Sequence, residues 1–245
     1  MPVIYSSSSG TKDDGVIYKS NQSSWVNARD ATSGTASLNS SLSSYFTGVI
    51  RGPSRSGGIV YTVYRSFMVF DTSSITGTIA SAELSIYGFS SNDGSVIAVK
   101  SNAYGGDGGT ALANGDFDAI AGWSAGGSLA GSATVYGAQK TTTNWETSDW
   151  NNFTATSDLL TDMKNNNVVT ICFMDYANDY LNSALTSNAS LNCGGYYAEN
   201  YAKRPHIDYT LATGYANDVN GVASANIGKV MGVATANIEK VNGIW

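Results

Sequence analysis

The chain has 245 residues, with 13 Lys and Arg against 19 Asp and Glu, for a formal charge of −6. A sequence pI near 4.6 argues against a nucleic-acid partner, since nothing here would release counterions by neutralising a phosphate backbone. One His and two Cys exclude His-rich and four-Cys metal sites, so no metal or cofactor is expected.

The first residues, Met1-Pro2-Val3-Ile4-Tyr5-Ser6, lack the basic and apolar regions of a signal peptide, and no apolar run approaches a membrane span. The expectation is synthesis in a cytoplasm with no membrane partner. Yet about three residues in ten are Ser, Thr or Asn, and only 13% are charged, which suits the surface of an extracellular particle. Assembly inside a cell followed by release on lysis satisfies both observations.

Strands are predicted at 15–18, 62–70, 82–87, 96–99, 168–174 and 206–211, separated by Gly, Ser and Asn clusters. In 82–87, Ala82, Leu84 and Ile86 alternate with Glu83, Ser85 and Tyr87, the period of a half-buried strand. Phe70, Leu84 and Ile86 should therefore share one core. Arg65 and Asp71 are expected to stay ionised at the sheet surface or rim. Turn signals such as Ser91-Asn92-Asp93-Gly94 favour antiparallel connections. One helix is expected, capped by Ser157 and running over 158–164, with Leu159, Leu160 and Met163 as its buried stripe. The fold class is an antiparallel β-sandwich, jelly-roll-like, over residues 1–213.

Residues 214–245 differ in kind. Val219-Asn220-Gly221-Val222-Ala223-Ser224-Ala225-Asn226-Ile227-Gly228-Lys229 is followed by a near copy over 230–240 and a truncated third over 241–245. The period is eleven, with Gly at 221, 232 and 243. Because an interior Gly costs a helix about 1 kcal/mol, short helices entered at Ser224 or Thr235 and ended by Gly232 or Gly243 are preferred over a continuous coiled coil. Val219, Val222, Ile227, Val230, Val233, Ile238, Val241, Ile244 and Trp245 would form an assembly surface, since soluble monomers rarely expose such a patch. The expected partner is the chain itself, as a homo-oligomer.

The stretch Tyr64-Arg65-Ser66-Phe67-Met68-Val69-Phe70-Asp71, followed by Ile79-Ala80-Ser81-Ala82-Glu83-Leu84-Ser85-Ile86-Tyr87, resembles the DNRLRE-type β-sandwich domain. Arg204-Pro205-His206-Ile207-Asp208-Tyr209 is similar to that family's closing strand, while residues 101–145 match nothing in it. The resemblance implies binding or structure before catalysis, because members include carbohydrate-binding modules and adhesion proteins. The carboxy-terminal repeat resembles segments common in bacteriophage virion proteins. Together these imply a non-enzymatic structural component of a virion, partnered by itself and other virion proteins. The alternative is a carbohydrate-binding module or adhesin that recognises a surface polysaccharide.

Candidate glycan-stacking residues are Trp123, Trp145, Trp150, Tyr196, Tyr197 and Tyr201, all in or beside predicted loops. The competing expectation is that Trp145 and Trp150 pack beneath those loops. His206 has no nucleophile elbow near it and reads as an outward strand residue beside Asp208. Asp107, Asp116 and Asp118 lie in a Gly-rich stretch without EF-hand spacing and read as a solvated loop. No motif marks Glu83, Glu146 or Glu199 as a glycosidase pair, so no catalytic residue is assigned. Cys172 and Cys193 are expected as two thiols.

Overall fold

The computed structural model describes residues 1–7, 14–38, 43–212, 229–230 and 233–234. Twelve strands form the sandwich: β1 (Val3–Tyr5), β2 (Gly15–Gln22), β3 (Thr35–Leu38), β4 (Ser43–Pro53), β5 (Ile59–Asp71), β6 (Ile79–Asn92), β7 (Ser95–Lys100), β8 (Val135–Thr141), β9 (Trp150–Thr154), β10 (Val168–Met174), β11 (Ala189–Tyr196) and β12 (His206–Leu211). Every pairing between these strands is antiparallel, as the short turn-linked strands of the sequence predict.

The front sheet runs β1-β12-β6-β9. The back sheet is organised by β5. Tyr64 pairs with Gly48 of β4 and with Tyr18 of β2, while Phe67 pairs with Cys172 of β10 and with Gly15 of β2. A strand residue has only two lateral neighbours, so β2 lies along one edge of β5, and β4 then β10 share the other. Strands β7 and β8 extend the sheet beyond β10. The far end of β6 leaves the front sheet to pair with β11, which joins the two layers. Gly88 marks this crossing, where a Cβ would fall 1.9 Å from the Glu146 carbonyl oxygen.

Strand alternation on β5 supplies two cores rather than one. Met68 and Phe70 point between the sheets and meet Leu84, Ile86, Phe153, Phe173 and Ile207. Val63, Phe67 and Val69 point outward, but into a second core with Tyr104, Phe117, Leu129, Cys172 and Met174. The cover of that second core comes from residues 103–133 and from α1 (Trp25–Arg29), whose Ser24 Oγ accepts the Asn27 N–H at 3.2 Å. Residues 103–133 are thus the lid of the back sheet.

Phe70, Leu84 and Ile86 share the inter-sheet core, as the alternation predicts. Helix α2 (Ser157–Asn165) forms with Leu159 and Met163 buried, but its cap is Thr156, whose Oγ1 accepts the Leu159 N–H at 3.4 Å. The surface or rim position expected for Arg65 is overturned, since it lies under the lid with no solvent exposure. Asp71 does sit at the rim, where its Oδ1 accepts the Ser73 N–H at 3.0 Å.

In the repeats, β13 (Lys229–Val230) and β14 (Val233–Ala234) pair antiparallel, Val230 opposite Val233. A helix ending at Gly232 is incompatible with that pairing. β-Branched Val at both paired positions favours extended backbone there instead. Val219, Val222, Ile227, Ile238, Val241, Ile244 and Trp245 lie outside the described residues.

Candidate functional site

The outer face of the front sheet carries a continuous aromatic band. Tyr5 on β1 stands opposite His206 on β12, His206 opposite Ser85 on β6, and Tyr87 opposite Trp150 on β9. These residues share one side because each has the opposite parity to Ile4, Ile207, Leu84 and Phe153, which fill the core. The Trp150 and His206 rings are 4.5 Å apart, Trp150 and Tyr87 5.3 Å, and Tyr87 and Tyr196 5.8 Å. Phe89 continues the band at 5.9 Å from Tyr196.

The loop between β11 and β12 fixes this band from above. Lys203 places its ammonium 4.3 Å from the centroids of both Tyr87 and Tyr196. Arg204 donates from Nε to the Ser6 carbonyl at 2.8 Å and lies 5.4 Å from the Tyr5 ring. That contact gives the Arg-Pro of the closing strand a structural role, since it ties the loop to the amino-terminal strand. Tyr201, 78% exposed, and Tyr5, 50% exposed, form the outermost rings.

His206 lies outward on β12, with Nε2 3.1 Å from Asp208 Oδ2 and Nδ1 3.1 Å from the Arg204 carbonyl. Ser85 and Asn152 meet beside it at 3.0 Å. Rings flanked by hydroxyl, amide and carboxylate groups match the two sides of a sugar, whose C–H faces stack and whose hydroxyls hydrogen-bond.

The six aromatic candidates do not form one site. Trp150, Tyr196 and Tyr201 belong to the band or its border. Trp145 is buried against Phe46, held inward because Asn151 both donates to and accepts from the Glu146 backbone at 2.9 and 2.8 Å. Tyr197 is buried, with its hydroxyl 2.9 Å from Ser66 Oγ. Trp123 lies over two buried guanidinium groups, 4.7 Å from Arg29 and 4.4 Å from Arg65. Tyr5, Tyr87 and Phe89 complete the band beyond the six candidates. For Tyr87 and Phe89 the signal is the parity they share with Glu83 and Ser85, which only the sheet assignment turns into a face.

The densest charge cluster is structural. Arg65 grips Asp179 with two bonds of 2.7 Å and donates to the carbonyls of Phe117 and Arg29 at 2.7 and 2.9 Å. Arg29 donates to the Asp179 and Gly127 carbonyls at 2.7 and 2.8 Å. Each guanidinium joins Asp179 to a lid carbonyl, Arg65 to that of Phe117 and Arg29 to that of Gly127, so the pair fastens the lid to the sheet.

The carboxylates of the Gly-rich stretch are engaged locally. Asp107 accepts the Gly109 N–H at 2.8 Å, and Asp116 accepts that of Ala113 at 3.0 Å. Among the described residues, no three His, Cys, Asp or Glu side chains gather where they could hold a metal ion. Cys172 and Cys193 are free and buried, one in each core, and burial pushes both thiols up, Cys193 to about 12. No family model matches the chain, and no curated protein matches it.

Proposed function

We propose that the chain is a non-enzymatic structural protein of a bacteriophage-like particle, in which the sandwich is displayed and residues 214–245 attach it to further copies or to other virion proteins. The supporting observation is where the chain leaves the sandwich. Strand β12 pairs with β1 on one side and β6 on the other and ends at Leu211, before the first repeat opens at Val219. The repeats thus follow a sheet whose closing strand is already in place. Each large aliphatic side chain buried between subunits contributes about 1.5–3 kcal/mol, so several together offset the cost of association. Truncation after Thr213 tests this by light scattering. The full chain should form larger particles than the truncated protein, and equal assembly of the two would reject the role of the repeats.

The aromatic band favours a second reading, the carbohydrate-binding module. Glycan-array binding by the full chain, lost in Trp150→Ala with the fold retained, would support it. An array without signal would reject it.

A further inference from the structure

Strand β3 is an outer strand of the back sheet and pairs only with β2 among the described residues. Its other edge is held by one residue of the lid. The Ala36 N–H donates to Asn114 Oδ1 at 2.8 Å, and the Gly34 N–H, just before the strand, donates to the Asn114 carbonyl at 2.9 Å. Asn114 is followed by Gly115, and both are exposed in one tight turn, Asn114–Asp116. We infer that Asn114 is a site of spontaneous deamidation, and that its conversion to isoaspartate releases the lid from β3. The inference is independent of the readings of the repeats and of the aromatic band.

In this reaction the Gly115 backbone nitrogen forms a bond to Asn114 Cγ, the Cγ–Nδ2 bond breaks, and Nδ2 leaves as ammonia with the proton from Gly115. Water then opens the cyclic imide. Cleavage at Cγ gives aspartate, and cleavage at the original backbone carbonyl gives isoaspartate, whose chain runs through Cβ and Cγ. A side chain on the attacking residue would obstruct its nitrogen, and Gly115 has none. The space around it is open too, since a Cβ at Gly115 would meet nothing within 4 Å. The attack requires the turn to open, which an exposed turn does by local fluctuation. Gly also follows Asn220 and Asn242, in the repeats and outside the described residues.

The turn is closed by bonds that span the reacting link. The Asp116 N–H donates to the Ala113 carbonyl at 2.9 Å, while Asp116 Oδ2 accepts the Ala113 N–H at 3.0 Å and the Tyr104 N–H at 3.4 Å. Isoaspartate adds a backbone carbon between Ala113 and Asp116, so these bonds and the two to the edge of β3 cannot all be kept. Leu112 and Phe117 flank the turn and are buried in the second core together with Cys172. Loss of the turn therefore loosens the cover of that core, and leaves the inter-sheet core with Cys193 closed.

The test ages the full chain in warm, mildly alkaline buffer, both folded and in urea, and places each amide-to-acid conversion by tandem mass spectrometry. Asn114 should convert in the folded chain, more slowly than in urea. Gly115→Ala should slow that conversion about tenfold. This variant keeps the fold, because its added Cβ meets nothing and Gly115 is outside the left-handed region. The isoaspartate form, separated by ion exchange, should label Cys172 with a thiol reagent severalfold faster than the unaged chain, with Cys193 unchanged. Asn114→Asp supplies the charge without the longer backbone and should leave Cys172 protected. The proposal is overturned if Asn114 stays intact in the folded chain after the urea sample has converted, or if Gly115→Ala converts as fast. It is equally overturned if the isoaspartate form protects Cys172 as before, or if Asn114→Asp alone exposes it.

Discussion

Arg65 and Asp179 meet side by side in the interior, Nε to Oδ2 and Nη2 to Oδ1, each at 2.7 Å, with both side chains wholly removed from solvent. They are 114 residues apart in the chain. One belongs to the central strand of the back sheet, the other to the turn after β10, and the lid segment lies over both.

Removing one partner of such a pair leaves a charge buried without compensation. Asp179→Asn should therefore cost about 3–5 kcal/mol, measured by urea denaturation. Replacing both partners together, as Arg65→Met with Asp179→Leu, should recover part of that loss. A single mutant as stable as wild type would contradict the assigned role of the pair.

Leu84 is fully buried and sits between Ile207 on β12 and Phe153 on β9. Leu84→Ala should lower stability by about 2–5 kcal/mol, through lost transfer energy and the cavity left behind. An unchanged denaturation midpoint would place the core elsewhere.

Asp162 carries a pH signature. Burial alone would raise its carboxyl, but hydrogen bonds from Lys100 and Tyr136, the Lys100 charge and Asn166 together hold it below the ordinary value of 3.8. A depressed carboxylate adds stability that is fully present above its unfolded pKa and lost as pH falls through the folded one. Asp162→Asn should thus be less stable than wild type at neutral pH, with the gap closing in acid below about 3.8. Denaturation curves at a series of pH values check this, and a gap independent of pH would refute it.

The two cysteines make a simple accessibility test. Both thiols are buried and protonated at neutral pH, which removes both steric access and the reactive thiolate. A thiol-specific chromogenic reagent should find neither in the native protein and both after denaturation. Rapid labelling of the folded chain would mean that one of the cores opens readily.

The sequence by itself determined the antiparallel sandwich, and it did so where a strand has one wet face. In 82–87 the alternation of Leu84 and Ile86 with Glu83, Ser85 and Tyr87 states which side is core, and the structure agrees. His206 beside Asp208 reads as outward for the same reason. The helix is legible too, expected over 158–164 and found over 157–165, because breakers act within a few residues, although its cap is Thr156 and not Ser157.

What only the tertiary structure decided is everything that depends on a second layer. Strand β5 is apolar on both faces, so its pattern cannot say that Phe67 and Phe70 enter different cores. The lid has no period to read, and Arg65 looks like a surface charge until Asp179 and the Phe117 carbonyl are brought to it. The same holds for the aromatic residues: Trp145 and Trp150 are five apart in sequence, yet Asn151 turns one inward while the sheet parity turns the other out. Burial of a charge or a ring is settled by partners distant along the chain, and no local spacing encodes them.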